Sequence, residues 1–148
     1  MESKKKVYVG IDPDVDKSGV GIKINKEFLL YNFELFYLYE FLKKSKENLK
    51  IVGYEIIVYV ECGFLNKGNR HTQEDKSLQF NGKISERVGA NHEIAKKICE
   101  MCDFLELDYK QIRPTKSKTN SQFFQQLTGY TKRTNQEQRD ALMLVWGL

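Results

Sequence analysis

The sequence contains no apolar run approaching the ~20 residues that a membrane-spanning helix requires. Its first residues, Met1-Glu2-Ser3-Lys4-Lys5-Lys6, are charged and lead directly into a strand-like run. They have neither the apolar stretch nor the cleavage site of a signal peptide. These absences predict a cytoplasmic protein that makes no use of a membrane. Cysteine is scarce and odd in number: Cys62, Cys99 and Cys102, which predicts free thiols. Cys99 and Cys102 form a C-x-x-C, but it falls within a helical pattern and no second Cys or His pair completes a zinc site. They read as small buried hydrophobes. With two prolines, no low-complexity segment and no repeat, nothing marks an internal linker. The 148 residues are therefore expected to form a single domain, 1–148. A domain of this length buries roughly 70% of its unfolded surface.

A more telling absence concerns charge. The chain has 20 acidic residues, yet none lies between Tyr109 and Gln136. That segment carries Lys110, Arg113, Lys116, Lys118, Lys132 and Arg133. The overall net charge of +4 is modest, so the positive charge is concentrated in one stretch. Such a stretch points to a polyanionic partner, nucleic acid, in preference to a merely solvated loop.

Alternation of apolar residues over Val7–Asp12, Gly19–Asn25 and Glu27–Phe33 predicts three strands, with a hairpin turn at Asn25-Lys26. Leu35, Leu38, Leu42 and Leu49 keep helical spacing. The β-branched run Ile56-Ile57-Val58-Tyr59-Val60 within Tyr54–Glu61 suits a central strand buried on both faces. The polar, glycine-punctuated stretch 63–82 reads as a long loop. Ile84, Val88, Ala95, Ile98 and Cys102 form one stripe of a helix over 84–103. A short strand over 107–112, a helix over 117–127 and a final helix from Gln136 to about Trp146, capped by Asn135, complete the chain. The order β-β-β-α-β-α-β-α-α predicts a five-stranded mixed sheet, three antiparallel strands then two parallel, flanked by helices. It excludes a simple Rossmann fold, which alternates from the start.

Four acids sit where an acid is unwelcome. Asp12 ends an apolar strand, and Glu61 ends the most apolar strand of all. Asp140 opens the apolar run Ala141-Leu142-Met143-Leu144-Val145-Trp146, and Glu137 precedes it by three residues, on the same helix face. Each has an ordinary alternative: Asp12 as a turn former before Pro13, Glu61 as a strand end, Glu137 as a helix N-terminal charge and Asp140 as a solvent-facing residue. Burying one unpaired carboxylate costs several kcal/mol, by order of magnitude, so gathering four requires cations. Ligands that are all oxygen select a hard ion, magnesium or manganese. If the first and fourth strands are parallel neighbours, Asp12 and Glu61 meet at their carboxyl ends and the last helix delivers the other two. Such a cluster can hold two metals ~4 Å apart. Asp12-x-Asp14-x-Asp16 also has the opening spacing of an EF-hand. Lys17 and Lys23 stand where that loop needs glycine and glutamate, which excludes it.

Val9-Gly10-Ile11-Asp12-Pro13, with the return Ser18-Gly19-Val20-Gly21-Ile22, resembles the opening hairpin of RuvC-type Holliday junction resolvases in the ribonuclease H-like superfamily. The family's first metal ligand falls on Asp12, its second on Glu61 of Val60-Glu61. Its closing D-x-x-D-A motif reads Glu137-Gln138-Arg139-Asp140-Ala141 here. Glu137 departs from the Asp typical of the bacterial enzymes, so it is expected to reach a metal indirectly. The family can carry a phenylalanine three residues beyond the second acid, at the position of Phe64, that meets junction bases. It also uses lysines ahead of the final helix, a region holding Lys116 and Lys118.

The resemblance implies hydrolysis of a DNA phosphodiester with two magnesium ions, or manganese in their place. The ions would be held by Asp12, Glu61, Asp140 and Glu137, and the products would carry a 5′-phosphate and a 3′-hydroxyl. Lys116 or Lys118 would stabilise the transition state. Phe64, Lys67, Arg70, Lys110, Arg113, Lys132 and Arg133 are the candidate DNA contacts. Paired cuts across a four-way junction imply a two-fold homodimer. His71 reads as a loop residue and His92 as a helix-surface residue. The competing readings are a flap- or branch-cutting nuclease on the same fold, a non-catalytic junction-binding module and, least compatible with this length, an actin-like kinase or ATPase domain.

Overall fold

In the computed structural model the structure describes residues 4–66 and 78–148. The elements are β1 (Lys5–Asp12), β2 (Ser18–Ile24), β3 (Glu27–Phe33), α1 (Leu35–Ile51), β4 (Tyr54–Glu61), α2 (Leu78–Phe104), β5 (Asp108–Ile112), α3 (Ser121–Thr128) and α4 (Gln136–Met143). A short 3-10 turn at Gly63–Leu65 follows β4. The strands form one sheet in the order β3-β2-β1-β4-β5. β1, β2 and β3 are antiparallel neighbours, whereas β1–β4 and β4–β5 are parallel. This is the mixed arrangement expected from the sequence. Among the described residues no helix is long and apolar enough to cross a membrane.

The period of two along a strand assigns every side chain to a face. Val7, Val9 and Ile11 of β1, and Ile56, Val58 and Val60 of β4, pack with Leu38 and Leu42 of α1 and with Ala95, Ile98 and Cys102 of α2. The opposite face carries Tyr59, Phe124, Leu142 and Val145, with Tyr8, Ile57 and Ile112 around them. α1 and α2 therefore cover one face and α4, supported by α3, covers the other. A central strand buried on both sides explains the unbroken apolar run of β4. The three cysteines are free and buried, with the Cys62 and Cys99 sulfurs 3.9 Å apart.

Three helix boundaries differ from the sequence expectation. α2 begins at Leu78, within the stretch read as loop, and its apolar stripe is buried only from Ala95 onward; Val88 is 46% exposed. α3 begins at Ser121 and not at residue 117, because Asn120 caps it, its side chain accepting from the Phe123 amide at 2.8 Å. α4 closes at Met143, beyond which the chain continues in turns that still bury Val145.

The seat of α4 is set by glycines. Gly10 and Gly21 pair across β1–β2, and Gly19 pairs with Asp12. A Cβ at Gly10 would stand 2.0 Å from the Ala141 carbonyl oxygen, one at Gly19 2.2 Å from the Glu137 carbonyl oxygen, and one at Gly21 2.6 Å from the Leu142 Cα. The helix backbone thus lies directly on the strand backbones, an approach that only side-chain-free positions permit. A capping box fixes its start. Asn135 accepts from the Gln138 amide at 2.9 Å, while Gln138 accepts from the Asn135 amide at 3.1 Å. The Asn135 amide group also donates to Asn32 of β3 at 2.7 Å.

Candidate metal centre and nucleic-acid interface

Ile11 pairs with Val60 in the parallel β1–β4 ladder. One residue further, Asp12 and Glu61 lie side by side at the carboxyl ends of the two central strands. By parity both project from the face that α4 covers. α4 is held at the depth of Gly10, Gly19 and Gly21, and its first turns bring Asp140 and Glu137 toward the same point. The electrostatics record the convergence. Burial, reinforced by the charges of Glu61 and Asp140, pushes the Asp12 carboxyl up to about 8, with Lys118 pulling against the shift and Glu137 adding to it. Glu61 is also raised, first by burial, with Lys118 opposing and Asp140 adding.

Lys118 stands at the centre of the group. Its ammonium is 3.0 Å from Asp140 Oδ2. Burial pulls its own pKa down, but the hydrogen bond to Asp140 and the charges of Asp140, Asp12 and Glu61 leave it raised. The other Asp140 oxygen accepts from the Gln136 side chain at 2.7 Å. Lys118 lies in an extended segment between β5 and α3 that α4 ties down. Gln136 Nε2 and Arg139 Nε both donate to the Thr119 carbonyl, at 3.1 and 2.9 Å. Arg139 also donates to the carbonyl and hydroxyl oxygens of Thr134 at 3.1 and 2.9 Å, and to Gln136 at 3.0 Å. Reading the sequence missed Gln136 and Arg139. Their signal was their place on α4, four residues and one residue before Asp140.

The acids border two cavities. The first, about 340 Å³, is lined by Glu61, Arg113, Thr115, Ser117, Lys118, Thr119 and Asp140, with Ile112, Met143 and Leu144. The second, about 210 Å³, is lined by Asp12, Pro13, Glu61, Gly63, Val88, Asn91, His92 and Lys118. Glu61 and Lys118 are common to both.

Of the candidate residues, Asp12, Glu61, Asp140 and Lys118 are brought together, with Glu137 at their margin. Arg113 lines the first cavity. Lys116 is exposed and lines neither cavity. Lys110 lies over the Tyr59 ring, 5.7 Å from its centroid. Lys132 and Arg133 are exposed in the connection between α3 and α4. Phe64 is half-buried against the edge of the core, with the Lys96 ammonium 5.6 Å from its ring centroid. Lys67, Arg70 and His71 lie outside the described residues. His92, read from the sequence as a helix-surface residue, is on α2, half-buried, and lines the second cavity.

The donor set suits a hard divalent cation: carboxyl oxygens only, partly desolvated, two of them held toward the protonated form until a cation favours their charge. As the side chains stand, no three His, Cys, Asp or Glu among the described residues form a closed ligand cage. The Lys118 ammonium supplies the positive charge between the acids. The carboxylates therefore share one location and would have to draw inward around an ion.

No protein-family model matches the sequence, and no curated protein matches it. Among solved structures the chain is similar to T. thermophilus RuvC in complex with a Holliday junction substrate, with a TM-score of 0.50 and 14% sequence identity over 94% of this chain and 89% of that one. The likeness is one of fold, and the fold is ribonuclease H-like.

Proposed function

We propose that the chain is a magnesium-dependent endonuclease that cuts branched DNA, with the four-way junction as its substrate and a two-fold dimer as its working form. The observation that carries this reading is the gathering of Asp12, Glu61 and Asp140 around Lys118 at the carboxyl ends of β1 and β4. Three partly or fully buried carboxyl groups about one ammonium resist ionising together, a cost that a divalent ion would relieve. Asp12, Glu61 and Asp140 would hold two magnesium ions, or manganese in their place, with Glu137 acting at longer reach. When bound, the ions supply activation of the attacking water and stabilisation of the leaving oxygen.

The protein's own groups do the rest. Gln136 holds Asp140 in orientation through its 2.7 Å hydrogen bond. Arg139 fixes the Thr119 carbonyl and with it the position of Lys118. Lys118, 60% exposed, moves its charge from Asp140 to the phosphate oxygens as these gain negative charge. Arg113 in the first cavity, with the acid-free segment around it, attracts the DNA backbone. Lys110, Lys132 and Arg133 extend that field. The cut would leave a 5′-phosphate and a 3′-hydroxyl.

The fold shared with a junction-bound RuvC supports the choice of a four-way junction over a flap. The deciding experiment compares cleavage of four-way, flap and linear duplex DNA in magnesium, with Asp12→Asn as control. Junction cleavage by the wild type, absent from Asp12→Asn, is expected. Cleavage of flaps alone would replace the substrate and keep the chemistry. Junction binding without cleavage, indifferent to magnesium, would leave a non-catalytic module.

A further inference from the structure

The two cavities meet at Glu61 and Lys118 but open on different sides of them. The first is walled by the segment after β5 and by α4, and it presents Arg113. The second is walled by α2 and by the residues that follow β1 and β4, and it presents His92. A single strand of DNA whose scissile phosphate sits over the acids must place its neighbouring phosphates to either side. Each side therefore needs a donor for an anionic oxygen.

His92 is held in place with some care. Gly63, two residues after Glu61, leaves open the space that the imidazole approaches: a Cβ there would be 2.8 Å from His92 Nε2. The Phe64 ring stands edge-on to the imidazole, with centroids 6.5 Å apart and planes at 80°. At the preceding residue, Asn91, and about one turn of α2 earlier, at Arg87, polar contacts tie the helix to the segment following Asp12. The Asn91 side chain accepts from the Val15 amide at 2.9 Å. Arg87 donates to Asp14 Oδ1 at 3.1 Å, and the Asp14 side chain is only 10% exposed. The buried apolar stripe of α2 starts at Ala95, so this part of the helix is located by polar bonds and not by core packing. Arg87 is 58% exposed, and an exposed ion pair adds little stability. Its effect is to fix where His92 stands.

Building on the nuclease reading, we infer that His92 is a substrate-contacting residue: it donates a hydrogen bond to the backbone phosphate next to the scissile one on the α2 side, opposite the phosphate taken by Arg113. Arg87, Asn91 and Asp14 are positioning residues for it.

The test uses the full chain and four-way junctions carrying a single uncharged methylphosphonate at successive positions across the crossover. Binding is measured with calcium in place of magnesium. For the wild type, one position on the Arg113 side of the cut and one on the α2 side should each weaken binding roughly tenfold, the scale of a hydrogen bond to a charged group. His92→Ala should weaken binding of the unmodified junction by a similar factor and be indifferent to the methylphosphonate at the α2-side position. His92→Gln, which keeps a donor, should restore most of the binding. Arg113→Ala should show the same indifference at a different position. Arg87→Ala should give a smaller loss, coupled to the His92 position.

Should His92→Ala melt too low to assay, His92→Met, of similar volume and without a donor, takes its place. Binding by His92→Ala equal to wild type, or weakened by the same factor on every modified junction, overturns the assignment. If the wild type cuts junctions, Asp12→Asn does not, and no position couples to His92, the inference about His92 alone has failed. If the wild type neither binds nor cuts branched DNA, the nuclease reading fails and this inference goes with it.

Discussion

The Lys118 ammonium lies 3.0 Å from Asp140 Oδ2, within a group that also holds Asp12 and Glu61. One ammonium thus stands among three carboxyl groups, two of which burial holds toward the protonated form. Removing that ammonium should make their ionisation costlier. Lys118→Met is expected to melt below wild type in a metal chelator, and to gain more than wild type when magnesium is added. A melting curve in each condition measures both. Cleavage should fall about a hundredfold, the usual loss when one charge-stabilising donor is removed. An equal magnesium response in the two proteins would separate Lys118 from the acids.

Asp12 gives a pH dependence with a definite sign. Its carboxyl is raised to about 8 in the fold, mainly by burial and then by Glu61 and Asp140, whereas in an unfolded chain it titrates near 3.9. The folded state therefore holds a proton that the unfolded state releases. The associated stability is complete below about pH 4 and is lost as pH rises through about 8. In a chelator, the melting temperature of the wild type should fall across that window. Asp12→Asn cannot ionise there, so it should show a flatter profile and melt above wild type at pH 8, while losing cleavage. Magnesium should bind more tightly as pH rises, since the carboxylate must shed its proton first.

Much of this was readable beforehand, because periodicity and chemistry pointed the same way. The alternation in β1, β2 and β3, the all-apolar β4 and its closing Glu61 fix the sheet and two of the acids. Asp140 announced itself as a charge opening an apolar run. Other features were hidden for physical reasons. The apolar residues Ile84 and Val88 early in α2 are not buried, since polar bonds from Arg87 and Asn91 hold that part of the helix and such bonds leave no period in the sequence. Lys116 and Lys118 are chemically alike, and only the anchoring of Thr119 by Arg139 and Gln136 distinguishes them. His92 lies far in sequence from Asp12, Glu61 and Asp140 and meets the cavity only because β4, Gly63 and α2 pack together.

The glycines under α4 should resist the smallest enlargement. A Cβ at Gly21 would sit 2.6 Å from the Leu142 Cα, against backbone that cannot rotate away. Gly21→Ala is expected to cost about 1–3 kcal/mol by overpacking and to lift α4 from the sheet. Because Asp140 rides on α4, cleavage should drop further than the lost stability explains, even at temperatures where the variant is fully folded. Gly89→Ala is the control. It lies in α2 with nothing within 4 Å of the added methyl, and alanine there should stabilise by roughly 0.5–1 kcal/mol. Parallel denaturation curves and cleavage rates for the two variants test whether the seat of α4, and not glycine loss in general, matters.

Arg139 offers the sharpest separation of positioning from binding. It faces the Thr119 and Thr134 carbonyls and not the cavities, and its planar fork holds several acceptors at once. Arg139→Ala would leave the acids and the basic segment in the chain but free Lys118 to wander from Asp140. The turnover rate should therefore fall at least tenfold, as expected for a misplaced charge-stabilising group, while junction binding changes little. Arg139→Lys should recover little of the rate, since a single ammonium cannot reproduce the fork. Full rescue by lysine would mean that charge alone matters at this position. Loss of junction binding in proportion to rate would make Arg139 a DNA contact. Either result would break the link drawn here from α4 through Thr119 to Lys118.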